Sequence, residues 1–161
     1  MTGFHLAQIN VGRLKAPVDH PATSEFKNNL GRINALADCM PGFVWRLVGE
    51  GGDATDIQPD ADDPLLAINM SVWSDVDALA SFVYRSAHRD IMRRRREWFE
   101  HIEVYQCLWW IPTGHRPSVE EGLARLNLFE QLGATAEAFS FKNPYPAPDG
   151  RPAFPVLDEC A

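Results

Sequence analysis

The sequence predicts an α+β fold of the ferredoxin-like kind, a split βαβ arrangement with a four-stranded antiparallel sheet. Three observations predict it. Four short segments alternate in the period of two that sends successive side chains to opposite faces of a strand. Two longer segments repeat apolar residues at helical spacing, one between the first and second strands and one between the third and fourth. The order β-α-β-β-α-β is then followed by an extra C-terminal helix and an extended tail.

Phe4 to Arg13 reads as the first strand, with Phe4, Leu6, Gln8 and Asn10 on one face and His5, Ala7, Ile9 and Val11 on the other. Pro17 and Pro21 break that pattern. A helix from Thr23 to Met40 carries Phe26, Leu30, Ile33 and Ala37 as its apolar stripe, and Pro41-Gly42 stops it. Phe43 to Val48 alternates as a second strand. The stretch 49–64 is rich in Gly, Asp and Pro and reads as a long loop. Its aspartates (Asp53, Asp56, Asp60, Asp62, Asp63) lack the spacing of a calcium loop, so a solvated acidic loop is the reading.

Leu65 to Trp73 is the third strand, with Leu66, Ile68, Met70 and Val72 opposite Ala67, Asn69, Ser71 and Trp73. Ser74, with Asp77 three residues on, reads as the cap of a helical stretch that reaches Phe99 with a break near Ser86-Ala87. Val104 to Ile111 is the fourth strand. Ser118 with Glu121 forms a capping box, and the helix it opens carries Val119, Leu123, Leu126, Phe129 and Leu132 before ending at Gly133. The chain therefore divides into a body, 1–134, and a Pro-rich tail, 135–161. Phe139, Phe141, Tyr145 and Phe154 pin that tail to the body or to a partner.

A length of 161 residues fits one domain with a real core. The formal net charge of -7 argues against a nucleic-acid or anionic-membrane surface. No apolar run approaches the ~20 residues of a membrane span, and the N-terminus lacks a signal-peptide layout, which reads as a soluble, cytoplasmic protein. Three cysteines without a CxxC pair read as reduced thiols, Cys39 and Cys107 in apolar contexts. Both faces of the sheet carry apolar groups, while the two main helices cover one face. The simplest cover for the other is a second copy, so the sequence predicts a homodimer built sheet against sheet.

The stretch before the fourth strand carries the best lead to function. His88, Ile91, Met92, Arg95, Trp98 and Phe99 fall on one helical face, and Tyr84 joins them if the helix is unbroken. An imidazole and a guanidinium on an apolar face need partners or a purpose. His88 suits an acid, a base or a ligand, against a core histidine bonded to a backbone carbonyl. Arg95 suits a substrate carboxylate, against a structural Asp or Glu. Arg93, Arg94 and Arg96 spread around the helix and form no single basic face.

Trp45, Trp73, Trp109 and Trp110 suit the walls of an aromatic pocket, against plain core packing. Asn69 and Ser71 on one strand, and Gln8 and Asn10 on another, are costly inside a sheet unless they orient a ligand or fix pairing. His115, in the turn before the last helix, suits a pocket rim or a turn-stabilising contact. No HExxH, Walker, GxGxxG, GxSxG or clustered Cys/His spacing is present, so no metal site is assigned.

The segments HLAQINVGRL, PGFVWRL, NMSVWSDVDAL, YRSAHRDIMRRRREWF and LWWIPTGHRPSVEEGLARL resemble an uncharacterised bacterial family. That family belongs with the dimeric α/β-barrel superfamily, alongside antibiotic-biosynthesis monooxygenases, and the resemblance runs from Phe4 to Phe141. It implies a dimeric α/β barrel with ligands lying between helices and sheet in each protomer. The superfamily also holds haem-binding proteins, small-molecule cyclases and stress-response proteins, so the fold does not choose an activity. Three readings stay open. One is a cofactor-independent, monooxygenase-like enzyme on an aromatic or polyketide-like substrate, with His88 as acid–base and Arg95 and Asn69 orienting. The others are a non-catalytic ligand-binding or stress-response module, and a haem-binding protein with His88 as axial ligand.

Overall fold

A computed structural model describes residues 3–154. Cys160 and the end of the predicted tail, 155–161, lie outside the described residues. The elements are β1 (Phe4–Arg13), a 3-10 turn (Pro21–Thr23), α1 (Ser24–Cys39), β2 (Phe43–Arg46) and β3 (Leu66–Trp73). They continue with α2 (Val76–Arg85), α3 (His88–Arg93), α4 (Arg95–Trp98), β4 (Gln106–Pro112) and α5 (Val119–Leu132). The sheet order is β2-β3-β1-β4 with every pair antiparallel, which is the ferredoxin-like arrangement. Among the described residues no helix is long and apolar enough to cross a membrane.

The register decides which polar side chains meet. Gln8 stands opposite Ser71 and Asn10 opposite Asn69, so four amide and hydroxyl groups share one face of the two central strands. Leu6, Trp73, Leu108 and Trp110 lie on the same face and pack with Ile33 and Ala37 of α1 and with Val76, Leu79, Phe82 and Val83 of α2. The opposite face is wholly apolar along its centre: Ala7, Ile9, Met70, Val72, Cys107 and Trp109 are all buried.

That second face is not bare. α5 lies over it, with Leu126 buried among its residues and Val119, Leu123 and Phe129 packed against them. Gly122 makes the close approach feasible, because a Cβ there would stand 2.9 Å from both Ile9 Cδ1 and Met70 Sδ. The sheet-to-sheet homodimer rested on an open apolar face, and the chain closes that face itself. The reason for expecting a second subunit there is removed.

Two local expectations also change. Asp75, not Ser74, caps α2, its Oδ1 accepting from the Ala78 N–H at 2.8 Å. Cys39 is exposed at the end of α1, whereas Cys107 is buried in an apolar setting that pushes its thiol up to about 12. The break near Ser86 is present. Ser86 turns extended, donates to the Phe82 carbonyl and accepts from the His88 N–H at 3.2 Å, ending α2 and starting α3. Past α5, Phe139 exchanges two backbone hydrogen bonds with Leu108 (2.8 and 2.9 Å), and the Trp110 indole donates to the Tyr145 carbonyl at 2.9 Å.

Candidate functional site

Between α1, the α2–α4 segment and the polar face of the sheet lies a cavity of about 160 Å³. An inner lobe of about 60 Å³ shares Asn10, Asn69, Ser71, His88 and Arg95 with it and ends at Tyr105 and Gln106. The sheet supplies a polar floor, while Phe26, Leu30 and Ile33 of α1 and Phe82, Met92 and Trp98 opposite supply apolar walls. His88 and Arg95 therefore meet one space, together with Asn69 and Trp73. The break at Ser86 produces this: it redirects α3 so that its first residue faces the sheet, and it leaves Tyr84 on the outside.

His88 is half-buried. Its Nδ1 lies 3.4 Å from the Val83 carbonyl, and its ring packs on Phe82 with centroids 4.7 Å apart. A carbonyl oxygen only accepts, so this contact favours the neutral tautomer with hydrogen on Nδ1 and leaves the Nε2 lone pair free. Burial pushes the imidazole below its ordinary value, and the Val83 carbonyl partly offsets that shift. A neutral ring with an open Nε2 is what a general base requires.

Arg95 is held from three sides. Its guanidinium sits 4.2 Å from the Tyr105 ring centroid and 5.1 Å from that of Phe99, and one terminal nitrogen donates to the Val11 carbonyl at 3.1 Å. Among the described residues no carboxylate pairs with it; the ion pairs of this segment belong to Arg93 with Asp90 and to Arg94 with Glu25 and Glu97. Burial lowers its affinity for the proton, yet a guanidinium stays charged in protein.

The floor is a connected network. Gln8 Nε2 donates to Asn69 Oδ1 (2.8 Å) and to Ser71 Oγ (2.9 Å), and Asn10 Nδ2 donates to Gln8 Oε1 (3.0 Å). The Trp73 indole also donates to Ser71 Oγ, at 2.9 Å. In this arrangement Ser71 Oγ accepts twice and Asn69 Oδ1 is occupied. The Ser71 hydroxyl proton and the Asn69 amide protons are left for the cavity.

The other expected site residues lie elsewhere. Trp109 is buried on the α5 face, where its indole donates to Glu121 at 3.1 Å, and Trp45 packs against that same cluster. Trp110 is held under the tail segment. Tyr84 is 52% exposed and packs edge-on against Phe141. His115 is exposed and pairs with Glu121 at 2.7 Å, the turn-stabilising alternative. Sequence reasoning missed Phe82 and Tyr105 as site residues. Phe82 obeys the helical spacing of core positions, and Tyr105, read as part of a strand from Val104 on the face of Cys107 and Trp109, stands just before β4 begins at Gln106, so the strand's alternation does not set its direction.

A family model for a domain of unknown function, DUF3291, matches residues 5–154. The chain belongs to the DUF3291 family. No curated protein matches it. Solved structures similar to it include a protein of unknown function from Nitrosomonas europaea, NE2512, at 10% identity and TM-score 0.46, covering 71% of this chain and 94% of that one. SnoaB, a cofactor-independent oxygenase from Streptomyces nogalater, matches at 17% identity and TM-score 0.44, covering 72% and 97%. A Nitrosomonas europaea protein described by its likeness to antibiotic biosynthesis monooxygenases matches at 16% identity and TM-score 0.44, covering 71% and 92%. At these identities the likenesses concern shape, and this DUF3291 chain takes no activity from them.

Proposed function

We propose that this DUF3291 protein binds a ring-sized organic molecule between its helices and its sheet and takes a proton from it. The observation that carries this reading is His88: a half-buried imidazole, its Nδ1 3.4 Å from the Val83 carbonyl, on the wall of the same cavity as a guanidinium that no carboxylate pairs with among the described residues. Nε2 accepts the proton of an acidic O–H or C–H, the electron pair stays on the ligand, and Arg95 with the Ser71 and Asn69 donors balances the new charge. Apolar walls strengthen each of those interactions.

The volume sets the scale of the ligand. A cavity of about 150 Å³ accommodates benzene in an engineered case, so about 160 Å³ with its inner lobe suits one ring and its substituents. Sites for drug-sized ligands run to about 300–1,000 Å³, and a haem macrocycle does not fit the residues as they stand. We therefore derive no step through haem. A polyketide-like substrate would place one ring inside and the remainder at the mouth.

Cofactor-free oxygenation, one of the activities held by the superfamily the sequence resembles, asks a protein chiefly to deprotonate and desolvate a substrate. In that case a ring CH2 becomes C=O, O2 supplies that oxygen atom and leaves the other as water, and the ligand provides all four electrons. The free thiols, the acidic charge and this cofactor-free chemistry support a cytoplasmic setting. A homodimer would have to meet over α5 and not over a bare sheet.

Titration of 4-nitrophenol, whose phenolate has its own absorption band, tests the reading. The wild-type protein is expected to bind the probe as phenolate at a pH where the free probe is mostly neutral. His88→Gln is expected to bind it without that band. Binding as the neutral phenol by both proteins, or no binding, would return the site to the non-catalytic reading.

A further inference from the structure

The charges around the cavity run against those of the molecule. The chain carries 22 acidic and 15 basic residues, yet among the described residues no Asp or Glu lines either lobe. Two arginines do. Arg46 is neutralised by Asp38, its Nε 2.8 Å from Oδ1, whereas among the described residues no carboxylate pairs with Arg95. Loop 49–64, with its five aspartates, reaches the mouth only through Ala54 and Thr55. Its acids turn elsewhere: Asp63 to Arg13, and Asp53, Asp56 and Asp60 to backbone N–H groups of Thr55, Gly51 and Asp62.

Arg95 has five N–H donors in a rigid fork, and the Val11 carbonyl takes one. The rings of Tyr105 and Phe99 fix the plane of that fork without using any of its donors. Beside it the Ser71 hydroxyl and the Asn69 amide add further hydrogens. A partly buried cation with spare donors and no counter-charge is costly unless something completes it. A planar carboxylate matches the fork in shape and charge.

We propose that the ligand class of this cavity is a one-ring carboxylic acid, its carboxylate on Arg95 and its ring between the α1 stripe and Phe82. This rests on the reading of the cavity as a small-molecule site. It adds what that reading leaves open: the ligand enters already as an anion, and a second acidic group on the ring is the one that reaches His88.

Paired titrations with 4-hydroxybenzoate and its neutral isostere 4-hydroxybenzamide, followed by tryptophan fluorescence because Trp73 and Trp98 line the cavity, test it. A hydrogen-bonded charge pair predicts that the acid binds about tenfold or more tighter than the amide. Arg95→Gln is expected to erase that preference while the amide still binds, which shows the pocket intact. Arg95→Lys keeps the charge without the fork and is expected to restore part of the preference. Equal binding of acid and amide by the wild type, or a preference that survives in Arg95→Gln, would overturn the carboxylate assignment and leave the ring-sized pocket standing. Binding of neither probe would overturn the pocket and the assignment together.

Discussion

A half-buried imidazole that prefers to stay neutral makes the fold sensitive to acid. Because burial holds His88 below its ordinary value, the unfolded chain takes the proton more readily than the folded one as pH falls. Above about pH 6.5, the ordinary value, both states are neutral and the contribution is fully present. As pH drops through that point towards the folded value, it is lost. Melting curves from pH 7.5 to 5 are expected to show a steeper fall for the wild type than for His88→Gln, because only the wild type carries the buried imidazole. Parallel falls would mean that His88 is better solvated than its packing on Phe82 implies. Helical spacing put His88 and Arg95 on one face of one helix; the structure parts them at Arg94 between α3 and α4, and both still line the cavity. That Arg95 has no carboxylate partner among the described residues depends on the path of other segments, which no local spacing reports.

At the scale of elements, α5 shows what periodicity carries and what it leaves out. Its apolar stripe, its Ser118 cap (Oγ accepting from the Glu121 N–H at 3.1 Å) and its Gly133 end are written locally and were legible. Its destination was not, because an amphipathic stripe states that a face is buried and not against what. Gly122 is the residue that fits it to the sheet. Gly122→Leu would drive a branched side chain into Ile9 and Met70, and overpacking of this kind costs about 1–3 kcal/mol. Chemical denaturation is the measurement; a variant as stable as the wild type would mean that α5 rides higher over the sheet. The break at Ser86 was legible because a serine followed by a new helical start is a local signal. The shift of the α2 cap from Ser74 to its neighbour Asp75 was not, since both residues suit the position.

For the whole molecule, the chief consequence is that both faces of the sheet are covered by one chain. The ferredoxin-like order followed from element types and lengths, and the structure agrees. The homodimer followed from counting two helices against two faces, and the third large helix changes that count. Static light scattering is expected to give the mass of one chain. Twice that mass would mean a contact elsewhere than on a bare sheet face, for which the exposed Val44 of β2 and Val48 just beyond it offer apolar surface.

The position of β1 has a consequence for how the chain is made. It leaves the ribosome before the other three strands of its sheet, yet it lies in the middle of that sheet, between β3 and β4. Its partners end at Trp73 and Pro112, so at about 5–20 residues per second the strand waits several seconds for the first and longer for the second. During that interval Leu6, Ala7, Ile9 and Val11, all buried in the finished protein, have no sheet to join. Long-range pairing of this kind is slow to form, so the nascent β1 is a segment that a chaperone would shield until β3 and β4 arrive.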